Sequence, residues 1–163
     1  MTLRAALPSD IPALARLWHD GWQDAHAAIL PKELARLRTL ESFAQRLAVR
    51  LEDVRVAGST GAPTGFCMLK DDELYQLFVA PEARGGGVAA TLMDDGEARL
   101  AARGHVTAWL ACAIGNERAA RFYRKRGWTY VGPFVSRLET SAGPFDLKVW
   151  RYEKRLAALG APA

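Results

Sequence analysis

Apolar positions in the first fifty residues recur at helical spacing. Leu3 to Ala5 is a short apolar opening. Pro8, Ser9 and Asp10 then supply a turn and a helix start, and Ile11, Leu14, Ala15, Trp18 and Trp22 follow on one face. A second helical stretch runs from Pro31 towards Arg50, with Leu34, Leu37, Phe43 and Leu47 on one face and a break near Thr39. The period then changes. Val54 and Val56 read as a strand, Gly58 to Pro63 as a turn and Gly65 to Lys70 as the returning strand of a hairpin. Glu73 to Ala80 is a third strand, ended by Pro81.

Arg84, Gly85, Gly86 and Gly87 lead into a helix with Ala89, Leu92, Met93, Gly96 and Leu100 on one face and Gly104 as its cap. Gly96 costs roughly 1 kcal/mol against alanine, which close approach of the helix to a sheet would explain. Val106 to Cys112 reads as a buried strand and Asn116 to Arg126 as a helix stopped by Gly127. Trp128 to Leu138 and Phe145 to Tyr152 complete the chain as two strands. The predicted order is β-α-α-β-β-β-α-β-α-β-β, an α/β chain with a mixed sheet.

Composition narrows this little. The chain has 163 residues, 50% hydrophobic and 25% charged, which suits one domain spanning 1–163. No apolar run approaches the ~20 residues of a membrane span, and the opening MTLRAALPSD does not read as a secretory signal. A cytoplasmic location is expected. Cys67 and Cys112 sit in apolar runs as small hydrophobes, and His19, His26 and His105 show no metal-ligand spacing with them, so no metal is expected. A net charge of +4 favours an anionic partner but does not argue for nucleic acid.

The informative stretch is LFVAPEARGGGVAATLM: strand, proline turn, three glycines, helix start. Glycines let the backbone approach a ligand, and amides at a helix N-terminus make an anion site suited to phosphate. A Walker P-loop fails because Val88 and Ala89 stand where Lys-Ser/Thr should. The dinucleotide pattern fits in letters from Gly85 to Ala90, but the strand ending at Cys112 lacks the acid that would hold a ribose. A third pattern fits. Arg84-x-x-Gly87-x-Ala89 matches the R/Q-x-x-G-x-G/A signature of the GNAT acyl-CoA N-acyltransferase superfamily. Asn116-x-x-Ala119-x-x-Phe122-Tyr123 followed by Gly127-Trp128 resembles that family's second block, and Arg4-Ala5 with Asp10 its usual opening. Leu77-Phe78-Val79-x-Pro81 resembles the end of its fourth strand. The element order also resembles that fold, over essentially the whole chain.

The resemblance implies a GNAT fold with a central splayed sheet and acetyl-CoA as cosubstrate. Arg84, Gly85, Gly86, Gly87, Val88 and Ala89 would bind its pyrophosphate. The backbone of Leu77, Phe78 and Val79 would pair with the pantetheine arm and supply an oxyanion donor. Tyr123 would be the general acid for the leaving thiolate, with Asn116, two helical turns away, a second cofactor contact or an N-cap. Glu73 reads either as the general base or as a solvated strand end; strand alternation puts it on the side of Tyr75, Leu77 and Val79. Trp22 and His26 read either as core or as part of the acceptor pocket. The implied activity is acetyl transfer to the primary amine of a small molecule by direct attack. A protein Nα- or lysine acetyltransferase and a catalytically silent CoA-binding regulator are the alternatives. Neither nucleic acid nor membrane is expected as a partner, and the chain is expected to be a monomer or homodimer.

Overall fold

The computed structural model describes residues 2–157, and in it the strand periods become one seven-stranded sheet in the order β1-β2-β3-β4-β5-β7-β6. The strands are β1 (Leu3–Ala5), β2 (Val54–Ser59), β3 (Ala62–Lys70), β4 (Glu73–Val79), β5 (Thr107–Ala113), β6 (Thr129–Leu138) and β7 (Phe145–Arg155). All neighbours are antiparallel except β4 and β5, which run parallel. The helices are α1 (Ile11–His26), α2 (Lys32–Leu37), α3 (Leu40–Val49), α4 (Val88–Ala102) and α5 (Glu117–Lys125).

The second helical stretch is two helices, one more element than the predicted order. The break falls at Thr39, whose side chain accepts the Ser42 N–H at 3.1 Å as the N-cap of α3. The hairpin turn is shorter than expected: β3 begins at Ala62 and takes in Pro63, beside a bulge between Ala57 and Gly58.

Two apolar clusters cover the two faces of the sheet. On one, Leu92, Met93 and Leu100 of α4 and Ala120 of α5 pack on Cys67, Leu69, Leu74 and Leu110. On the other, Leu14, Trp18, Leu34, Phe43 and Leu47 pack on Val54, Val56, Phe66 and Met68. Gly96 lets α4 settle on the sheet: a Cβ there would lie 3.2 Å from Cys67 Sγ. Near the chain start, Arg4 holds buried Asp10 through two hydrogen bonds of 2.8 Å. The Arg4 guanidinium, more than it is opposed by burial, keeps that carboxyl down at about 2. No helix of the described residues is long and apolar enough to cross a membrane.

Candidate active site

The sheet opens between β4 and β5. Their ladder holds a single residue pair, Glu73 with Trp109, supported by the Trp109 N–H to the Asp72 carbonyl at 3.3 Å. Beyond that point the strands diverge, leaving a cleft of about 340 Å³. Its walls are Leu74–Val79 of β4 and Ala111–Ala113 of β5, closed at the sides by Gly21, Ala25 and His26 of α1 and by Asn116, Ala119, Phe122 and Tyr123. Strand backbones that part in mid-sheet leave amides and carbonyls facing the gap without a strand partner.

A bulge re-aims β4. Its register with β3 steps from Leu69 opposite Leu74 to Met68 opposite Gln76, so Tyr75 is an extra residue. Leu74, Leu77 and Val79 therefore join the α4 side, whereas Tyr75 and Phe78 join the α1–α3 side. Simple alternation is broken, and the expectation that Glu73 shares a side with Leu77 and Val79 is corrected. Next to Leu74, Glu73 falls on the Tyr75 side, where Lys70, Arg151 and Arg50 are the cations that bear on it. Nor is Glu73 a solvated strand end. It is 7% exposed, outside the lining of the cleft, and burial pushes its carboxyl up to about 7, with Asp72 adding and the cations opposing.

Beyond β4, a single turn of tight helix at Pro81–Ala83 carries the chain into the glycines. Gly85 and Gly87 have φ of +83° and +84°, and a Cβ on either would meet nothing within 4 Å. The first bond of α4 runs from the Thr91 N–H to the Gly87 carbonyl at 3.0 Å, so the amides of Val88, Ala89 and Ala90 have no acceptor within the helix. The Val88 side chain is buried; what it presents at the loop is its N–H. Arg84 and Ala89 reach the cleft wall. Asp24 on α1 meets the Arg84 guanidinium at 3.3 Å and that of Arg118 at 3.8 Å.

Asn116 caps α5, its side-chain oxygen accepting the Ala119 N–H at 3.3 Å, and also lines the cleft. Tyr123 stands two turns on, packed on Phe122 and Tyr152 with ring centroids 5.9 Å away in each case. Among the described residues its hydroxyl has no partner within the protein, whereas that of Tyr152 receives a bond from Arg124 at 3.2 Å. Burial, with smaller additions from Cys112, Cys67 and Tyr152, raises the Tyr123 phenol above its ordinary value. The phenol is therefore protonated at neutral pH.

Trp22 and His26 part company. Trp22 is core, buried with Leu14 and Trp18 and outside the cleft lining, while His26, 5.3 Å from its ring, lines the cleft beside Phe78. Burial lowers the His26 imidazole to about 4, so it is neutral at pH 7, and its Nδ1 is buried without a well-directed partner. Gly21, Gln76, Ala111 and Ala113 also line the cleft and were not singled out from sequence, and Cys112, read there as a small hydrophobe, lines it with them. Gly21 carried a signal, a glycine inside an amphipathic helix; a Cβ there would lie 2.6 Å from Phe78 Cδ1. Among the described residues there is no group of three His, Cys, Asp or Glu that could hold a metal.

The chain is similar to known proteins in sequence and in fold. Residues 11–128 match the model of the Acetyltransferase (GNAT) family. An uncharacterized N-acetyltransferase of Mycobacterium tuberculosis is 34% identical over 120 residues, covering 68% of this chain and 77% of that protein. The crystal structure of a GCN5-related N-acetyltransferase from Rhodopseudomonas palustris superposes with a TM-score of 0.74 at 26% identity, covering 95% of each chain. YncA, a putative acetyltransferase from Salmonella typhimurium solved with its cofactor acetyl-CoA, shares the fold. Its TM-score is 0.69 at 18% identity, covering 100% of this chain and 98% of that one. The family match over residues 11–128 and the 34% identity to an N-acetyltransferase make the chain a member of the GNAT acetyltransferase family, an acetyl-CoA-dependent N-acetyltransferase.

Proposed function

We propose that the protein moves an acetyl group from acetyl-CoA to the primary amine of a small molecule by direct attack. The observation that carries this reading is the gap between β4 and β5, with anion-binding amides at one end and an unpartnered phenol on its wall. The residues fit the cosubstrate. Two left-handed glycines leave open space where a phosphate can approach the amides of Val88, Ala89 and Ala90. Arg84 adds charge, and the parted backbone of Leu77 to Val79 offers hydrogen bonds to an extended amide chain. The YncA structure, which holds acetyl-CoA, supports the same assignment.

The neutral amine nitrogen bonds to the thioester carbonyl carbon while the oxygen takes up charge beside a β4 amide. The C–S bond then breaks, and Tyr123 gives its proton to the departing thiolate. The proton lost by the nitrogen passes to solvent or to Glu73. A carboxyl at about 7 takes up a proton at neutral pH, but Glu73 lies outside the cleft lining, so transfer runs through water. The test is thiol release from acetyl-CoA against a panel of small amines and lysine-bearing peptides. Turnover with small amines is expected; turnover with peptides alone, or with nothing despite tight CoA binding, overturns the reading.

A further inference from the structure

A second cavity of about 180 Å³ lies between α3 and the loop after β6, and Tyr75 lines both it and the main cleft. Three arginines wall it: Arg38, Arg46 and Arg50. Arg38 is 3% exposed. It donates from Nη1 to the Glu139 carbonyl at 2.7 Å, and its Nε is buried with no partner. Arg46 donates to the Tyr75 hydroxyl at 2.9 Å and stacks 4.4 Å from the Trp18 ring centroid; its Nε is also unpartnered. Among the described residues neither arginine has a carboxylate within ion-pair distance. The one acid of the cavity, Glu139, is engaged by Lys70 at 3.1 Å and by Arg50 at 3.9 Å.

Two guanidinium groups wall one cavity, Arg38 buried, and repel each other; the one carboxylate that opposes this, Glu139, is shared with Lys70 and Arg50. Burial, and then the Arg46 charge, lower Arg38 to about 10 against the opposing pull of Tyr75 and Glu139. A cavity with three arginines and one shared carboxylate favours an entering anion, and the planar guanidinium forks match an oxyanion with two oxygens. The cavity also opens on the right side. Arg50 and Lys70, which flank Glu139, are among the cations that bear on Glu73, and Tyr75 with its bulge stands between this cavity and the cleft.

We propose that this cavity holds an anionic oxyacid group of the acceptor, a carboxylate or phosphate, against Arg38 and Arg46, so that the amine acetylated is one that carries a negative charge. The proposal rests on the acetyl-transfer reading for the word acceptor; anion binding in the cavity does not.

The test is thiol release from acetyl-CoA with matched amines: an α-amino acid against its carboxamide, and an aminoalkyl phosphate against the amino alcohol. The anionic member of a pair is expected to have a kcat/KM about tenfold or more higher, chiefly through KM, and the better pair tells carboxylate from phosphate. In R38Q and R46Q that preference should fall below about threefold, while the Kd for acetyl-CoA is unchanged. Equal or better turnover of the neutral members overturns the proposal, as does a preference that survives both substitutions. If R38Q does not fold, R46Q alone carries the result. If no amine is acetylated, the catalytic reading fails and the cavity is judged separately, by melting temperature in inorganic phosphate against chloride at equal ionic strength. A phosphate-specific rise in the wild type that is absent in R46Q supports the anion site; no rise overturns it.

Discussion

Replacing Glu73 by Gln removes a charge and keeps the shape, and its effect on stability has a calculable pH profile. Burial raises the carboxyl from 4.5 to about 7, and about 2.5 units at 1.36 kcal/mol each makes the ionised form about 3 kcal/mol costlier in the folded protein. The sign follows from proton uptake. Between 4.5 and about 7 the folded state keeps a proton that the unfolded state has lost, so wild-type stability falls as pH rises through that window. Below it the carboxyl is protonated in both states and the cost vanishes. Gln is never charged, so the difference between variant and wild type isolates this one group. By this linkage E73Q should be more stable than wild type by about 1 kcal/mol near pH 5, rising to about 3 kcal/mol near pH 8.5. Urea unfolding across that range, followed by tryptophan fluorescence, measures it. A difference that stays flat with pH to within about 0.5 kcal/mol refutes the claim that Glu73 is held in an environment hostile to charge.

Gly87→Glu puts a side chain on a backbone at φ +84°, strained by about 1–2 kcal/mol, and a negative charge at the anion loop; calorimetry should find CoA binding abolished, and unchanged affinity removes the loop assignment. Tyr123→Phe should lower kcat by about 10²-fold with little change in acetyl-CoA affinity, and wild-type turnover would end its role as acid. The His26 imidazole should titrate by NMR with a midpoint at about 4. Because its cation is the disfavoured form, stability should fall as pH drops from the usual histidine range towards that value, a slope that His26→Phe abolishes; a midpoint near 6.5 contradicts its burial. Asp24→Asn frees Arg84 and Arg118, and since exposed pairs contribute at most about 1 kcal/mol, CoA should bind up to about fivefold tighter; weaker binding would show that Asp24 helps to hold the ligand.

Much of this was legible because short-range chemistry decides it. The break at Thr39 is an N-cap, Gly96 is a close approach that a Cβ would crowd, and the loop from Arg84 to Ala89 is a run whose backbone conformation its glycines permit. What was missed depends on residues distant in sequence. The extra residue at Tyr75 exists only relative to β3, so a period-two pattern applied to β4 alone put Glu73 on the wrong face. Arg38 follows a short helix and looks like any loop arginine; it is buried, with its Nη1 on the carbonyl of Glu139, 101 residues away. The stripe of Trp18, Trp22 and His26 has helical spacing throughout, yet only His26, in the last turn of α1, reaches the cleft, because α1 crosses β4 where Gly21 meets Phe78.

The single-pair junction between β4 and β5 also has a thermodynamic side. A seven-stranded sheet with a gap near its middle is two smaller sheets sharing one hinge point at Glu73 and Trp109. An extended ligand that satisfies both inner edges acts as a missing strand, so occupancy and foldedness are linked. At a ligand concentration a hundred times its Kd, that linkage adds about 2.7 kcal/mol, a sizeable share of the stability of an ordinary domain. The same bonds should quench amide exchange first at Leu77–Val79, where the open edge lies, and the chain's lifetime in a cell would then track the supply of the cosubstrate it consumes.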